Sequence, residues 1–332
     1  MKNMITKVLE LIGLQPEEKL LLVGDETTDW AVEQLASYAT ATYLLSADTR
    51  PLQAVPKDLE ALVKGVDVLL YIISKASSDE RVFRDSLNSF AESRGVRVAN
   101  LLDVTPEILV SAFREDPQKI RAFTEDLCER MRSVQNVRVT SPSGTNVTVS
   151  FSKKYFWVAS TGYVEFAKTR NAMPAEIYTH PANVEGVVVV DGAYAALVGL
   201  EDSKELLAAL KKHPLTWEIQ NSRIVNVRCT HERIRELASK EIFEKDPENG
   251  NRIGEFGIGT NLGMKELFGN VMHDEKFPGV HIAHGHGYSS ATGAEYSSSV
   301  HSDGVLLEAS IADLDSGDQI LLHGHFLQPH TY

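Results

Sequence analysis

The residues best equipped for chemistry are histidines and carboxylates gathered late in the sequence. Eight of the eleven histidines fall within residues 273–332. The densest stretch, DEKFPGVHIAHGHGYSSATGAEYSSSVHSDG (274–304), carries Glu275, His281, His301 and Asp303 among glycines and serines. Imidazole and carboxylate are the side chains that hold catalytic divalent metals. The glycine density argues for short strands and loops rather than a helix. His301 and Asp303 stand two apart, a spacing that on a strand aims both at one point. By the same alternation His281 and His284 take opposite faces, so one true ligand is expected in VHIAHGHG, with its other histidines as supporting or exposed neighbours. His323 and His325 in HGHF would also share a strand face, but nothing acidic accompanies them. A metal centre is the expectation. A solvated, histidine-rich loop that binds metal only adventitiously is the competing reading.

Two carboxylates outside this tract complete the candidate set. Glu176 lies in NAMPAEIYTHP, a proline-bounded stretch just before the apolar strand GVVVVDG. Glu255 lies in RIGEFGIGTN, flanked by Gly254, Gly257 and Gly259, where small residues let backbone approach a ligand and a single carboxylate could bridge metals. Each also reads as an ordinary turn or strand-end glutamate. Other chemistries lack their motifs: there is no G-x-S-x-G elbow, no H-E-x-x-H helix and no P-loop.

The elements that must position these groups fall into two textures. At 332 residues the chain suggests two domains. Residues 1–133 alternate helix with solid apolar strands (KLLLVGD, TYLLSAD at 42–48, VDVLLYIIS, VRVANLLD), which predicts an α/β, doubly wound scaffold around a mostly parallel sheet. The turn VGDETTDW after the first strand lacks G-x-G-x-x-G, which excludes a dinucleotide site. Two helices over 105–133 are expected to link the halves. Residues 134–332 predict an α+β metal-binding domain with a mainly antiparallel, barrel-like sheet. It would open on a hairpin at 137–152 and include helices at 202–213 and 231–243.

A net charge of −13 provides no basic face for nucleic acid. Cys128 and Cys229 are far apart and in no metal-binding spacing, as expected of free thiols in a reducing compartment. No apolar run approaches a membrane span, and the N-terminus reads as helix then strand rather than a signal peptide, so a cytoplasmic location without membrane association is expected.

Taken in order, these pieces resemble the thermophilic leucyl aminopeptidase family, that of aminopeptidases T and S. Its order is a Glu before a long strand, G-E-x-x-x-x-x-N, a D-E pair, H-I-A-x-G, a Tyr seven residues beyond that His, and a final H-x-D. This chain supplies Glu176, Glu255 with Asn261, Asp274 with Glu275, His281 with Gly285, Tyr288, and His301 with Asp303. The resemblance spans roughly 135–310. It implies a dimeric, two-metal exopeptidase acting on a peptide or related small molecule. Glu176, Glu255, Glu275, His281, His301 and Asp303 would bind or support two divalent ions, zinc or cobalt. Glu255 and Tyr288 would be the catalytic groups, Tyr288 hydrogen-bonding the developing oxyanion. Here the spacing from Glu275 to His281 is one residue longer than the family pattern, and the segment between His281 and His301 is shorter. A related branch of 2,5-dihydroxypyridine dioxygenases uses one Fe(II) and carries histidine at the position of Glu255, so the glutamate here favours the hydrolase. A metal-binding member without peptidase activity is the third reading.

Overall fold

The computed structural model describes residues 2–45, 54–76, 78–164 and 169–327. The chain divides into two compact units, Met1–Lys119 with Thr161–Pro174, and Ile120–Ser160 with Ala175–Tyr332.

The first unit is built on a five-stranded sheet in the order Ala41–Leu45, Leu20–Asp25, Val68–Ile72, Arg97–Leu101, Thr169–Asn171, with every pair parallel. The apolar runs expected as strands form its centre, and Leu20 to Val23 and Val68 to Ile72 are fully buried, as coverage on both faces requires. The expected strand at 42–48 is seen at Ala41–Leu45, while 46–48 lie outside the described residues. The fifth strand was not expected, because three residues reading TRN carry no apolar signal. A β-carbon on Gly24 would stand 2.6 Å from Val32 Cγ2, so this glycine serves the close approach of the helix Asp29–Leu35 to the first strand. Helices Pro106–Ala112 and Pro117–Met131 occupy the stretch expected to be helical; Thr105 caps the first by accepting from the Ile108 N–H.

The second unit is antiparallel, as expected, but divides its strands between two sheets. One has eight strands in the order Arg223–Arg228, Leu215–Gln220, Asn183–Val190, Asn146–Ser150, Asn136–Thr140, Ser310–Asp313, Gln319–Leu322, His325–Phe326. Its hairpin Asn136–Thr140/Asn146–Ser150 is the one expected at 137–152. The other has six, in the order Ala193–Tyr194, His301–Leu306, Gly279–Gly285, Ile253–Gly259, Glu176–Thr179, Val158–Ser160. The expected helices are present as Ser203–Leu210 and Glu232–Phe243. Between the sheets lies a core containing Val188, Val190, Tyr194, Trp217, Phe256, Ile258 and Ile282. Gly304 allows the sheets to meet: a β-carbon there would stand 2.6 Å from Val190 Cγ2 and 2.7 Å from Trp217 Cη2.

Candidate metal centre

The six-stranded sheet gathers the candidate residues by register alone. Glu255 stands opposite Ala283, which stands opposite Asp303. Gly257 stands opposite His281, Gly259 opposite Glu176, and Gly285 opposite His301. Residues opposed across antiparallel strands, and residues two apart along one strand, share a face. Glu176, Glu255, His281, His301 and Asp303 therefore point the same way, from four adjacent strands. Phe256, Ile282 and Gly304 point the other way, into the core.

Glu255 lies at the middle of the cluster. Its Oε1 accepts from His281 Nε2 at 3.1 Å, and its Oε2 lies 4.0 Å from His301 Nε2. His281 Nε2 is also 3.4 Å from Glu176 Oε2, and His301 Nε2 is 3.3 Å from Asp303 Oδ2. Donor atoms of Glu176, Glu255 and His281 all lie within 4.8 Å of one another. Glu255, His281 and Asp303 are buried. Glu255 Oε2 and Asp303 Oδ1 have no hydrogen-bond partner among the described residues. A buried polar atom left so costs about 1–3 kcal/mol, more when charged. A divalent cation bound by these groups would satisfy them, and a mixed carboxylate–imidazole set suits zinc, cobalt or ferrous iron. The residues present therefore fit a metal.

The electrostatics follow from crowding charges in a dry place. Burial raises the Glu255 carboxyl above the ordinary range, against the bond from His281. Burial opposes charge on His281, yet the bond to Glu255 and the charge of Glu176 override it and push the imidazole up to about 9. At His301 burial again loses, here to Asp303, and the imidazole is pushed up to about 10. Asp303 is held down at about 2, where the His301 charge outweighs the cost of burial.

Glu275 does not join this set directly. It follows the short helix Val271–Asp274, and its Oε1 accepts from Lys276 Nζ at 2.6 Å. Lys276 also donates to Glu176 Oε1 at 3.2 Å. Burial pushes Glu275 up to about 8, with Lys276 working against it. Sequence reasoning missed Lys276; its one signal is the extra residue between Glu275 and His281. Asp274 has a structural task, accepting from the backbone N–H groups of Phe268, Gly269 and Asn270 at 2.6, 2.8 and 3.0 Å. Asn261 supports the same loop, donating its backbone N–H to the Lys276 carbonyl.

Tyr288 stands at the rim in a left-handed conformation (φ 51°), 40% exposed, with its ring centroid 4.6 Å from that of His301. His286 contributes through its backbone: its carbonyl lies 2.9 Å from His301 Nδ1, fixing the ring so that Nε2 faces Asp303. His284 lies on the opposite face, as alternation requires. Its Nε2 meets the Tyr194 hydroxyl at 2.8 Å and its Nδ1 the Gly250 carbonyl at 2.7 Å. Burial lowers His284 to about 4, so it sits in the core as a neutral hydrogen-bonding side chain. His323 and His325 do not share a strand face: His323 occupies a turn at φ 47°, and only His325 is in a strand.

A family model described as thermophilic metalloprotease (M29) matches residues 98–305. Among solved structures, the chain is similar to 2,5-dihydroxypyridine dioxygenase from Pseudomonas putida KT2440 (TM-score 0.67, 16% identity, covering 99% of this chain and 97% of the other). It is also similar to wild-type AmpT from Thermus thermophilus (TM-score 0.66, 14% identity, covering 98% and 99%). At these identities the likeness is one of fold. No curated protein matches the chain in sequence.

Proposed function

Because this chain belongs to the thermophilic metalloprotease (M29) family, we propose that it is a metal-dependent aminopeptidase, removing residues from the N-terminus of peptides. The observation that carries this reading is the placement of Glu255, one oxygen toward His281 and the other toward His301. A carboxylate so placed can be shared by two cation positions. Glu176 and His281 would complete the first, and His301 and Asp303 the second.

Divalent ions at these positions, zinc or cobalt, would polarise the scissile carbonyl and make a water acidic enough to attack near neutral pH. The chain's own residues supply the rest. Glu255, itself buried, would hold the His281 imidazole in orientation, while the His286 carbonyl and Asp303 would hold that of His301. Tyr288, beside His301 at the rim, would hydrogen-bond the oxyanion that develops as the carbonyl is attacked. A substrate's free amine could bind at one of the metal positions, which would explain an exopeptidase. The reading extends to a homodimer in the cytoplasm; no helix among the described residues is long and apolar enough to cross a membrane.

Hydrolysis of Leu-p-nitroanilide, abolished by a chelator and restored by zinc or cobalt, is the expected result. Failure to release product from any aminoacyl substrate overturns the peptidase reading. A single iron per chain with cleavage of 2,5-dihydroxypyridine would replace it by the dioxygenase. A bound metal with neither activity would indicate a family member serving another reaction.

A further inference from the structure

Lys276 is a permanent cation inside the metal-binding cluster. Its residue is 4% exposed, and its ammonium contacts two carboxylates, Glu176 Oε1 at 3.2 Å and Glu275 Oε1 at 2.6 Å. Its third hydrogen bond goes to the Met272 carbonyl at 2.9 Å, so the whole group is satisfied by this chain. The Asn261–Lys276 backbone bond and the clamp of Asp274 on residues 268–270 fix the segment that carries it.

This arrangement makes the two sides of Glu255 unequal. On the Glu176 side, one carboxylate oxygen is taken by the ammonium and only Oε2 faces His281. Glu275 is paired with the same ammonium. A divalent ion bound there would share Glu176 with a positive charge in a buried setting, where like charges repel strongly. On the His301–Asp303 side no lysine or arginine makes an ion pair with the candidate ligands among the described residues, and Lys276 acts on Asp303 only through space, behind His301 and His281.

We propose that Lys276 is a positioning residue that occupies the charge role of a metal at Glu176 and so makes ion loading sequential, with the Glu255–His301–Asp303 position filling first and the Glu176–Glu255–His281 position at least tenfold more weakly. This rests on the metal-centre reading above but not on the identity of the substrate, and its readout is binding alone.

The test is calorimetric titration of the chelator-stripped full-length protein with zinc chloride, with bound zinc counted by elemental analysis after gel filtration. Wild type is expected to show two affinity classes. Asp303→Asn should remove the tight class and Glu176→Gln the weak one. Lys276→Met, which keeps the length of the side chain and removes its charge, should strengthen the weak class at least tenfold and leave the tight class in place. Lys276→Arg, which keeps the charge, should preserve the inequality and guard against a purely structural effect of the methionine. Two equal classes in wild type overturn the proposal. So does loss of the tight class in Glu176→Gln, or a weak class that does not strengthen in Lys276→Met when circular dichroism shows that variant folded. Zinc binding as proposed without peptide hydrolysis would sink the peptidase reading and leave this one standing.

Discussion

Gly257 faces His281 directly across two antiparallel strands, and a β-carbon on Gly257 would stand 1.8 Å from His281 Nε2. The imidazole thus lies flat over the neighbouring strand, in the space a side chain would fill, and reaches Glu255 and Glu176 by doing so. The glycine is as much part of the centre as the histidine. Gly257→Ala must push the ring away, and it is expected to lower zinc affinity at least tenfold while far-UV circular dichroism stays unchanged. Unaltered binding in this variant would show that His281 does not use the position seen here.

Metal content should separate the cluster from the rest of the histidine-rich tail. Glu255→Ala and Asp303→Ala are expected to lose bound metal after dialysis, whereas His323→Ala, altered at an exposed turn, should retain the wild-type amount. Elemental analysis reads all three. Equal loss in every variant would mean that the ligand set is wrong.

His284 offers the complementary case. Replacing it by leucine leaves the Tyr194 hydroxyl and the Gly250 carbonyl without their partner, in a site that is fully buried. Unsatisfied groups of this kind cost about 1–3 kcal/mol each. Urea denaturation should show a loss within that range or somewhat above it, with metal content preserved. A variant as stable as wild type but devoid of metal would reverse the assignment.

Proton release should accompany metal binding. With no ion bound, His281 and His301 are held at about 9 and about 10, above the ordinary histidine value of about 6.5. Both are therefore charged at pH 7.5, and a metal takes only the neutral ring. Affinity should climb as pH rises from 6 to 9, by up to about tenfold per unit for each proton displaced. Without metal, the sign for stability is the reverse. The imidazolium–carboxylate pairs contribute fully below pH 6.5 and are lost as pH passes through 9 and 10. Calorimetry in two buffers of different ionisation enthalpy measures the release, and a value of zero contradicts the pairing described.

Much of this arrangement follows from simple alternation. H-x-D at 301–303 predicts one face and H-x-x-H at 281–284 predicts two, and the strands obey both. The parallel sheet of the first unit is equally readable, because strands buried on both sides have to be apolar throughout. Other features arise from partners distant in sequence. Nothing local to Gly257 says which residue lies across from it; that depends on strand register. Lys276 looks like a surface lysine until the short helix Val271–Asp274 turns it inward. The strand Thr169–Asn171 pairs in parallel with Arg97–Leu101, and its sequence TRN gives no apolar signal from which that pairing could be read.

The clustered residues Glu176, Glu255, His281, His301 and Asp303 all stand on strands of one sheet, while Tyr288 and the segment 289–300 leave that sheet as a separate loop. Floor and rim are thus separable modules. The floor is fixed by register on four strands and is tied to the rim where Tyr296 donates its hydroxyl to the Gly285 carbonyl and Val300 accepts from the His286 N–H, so an exchange that keeps these two contacts leaves the metal-facing groups where they are. That makes 289–300 the natural place to graft in new substrate preference.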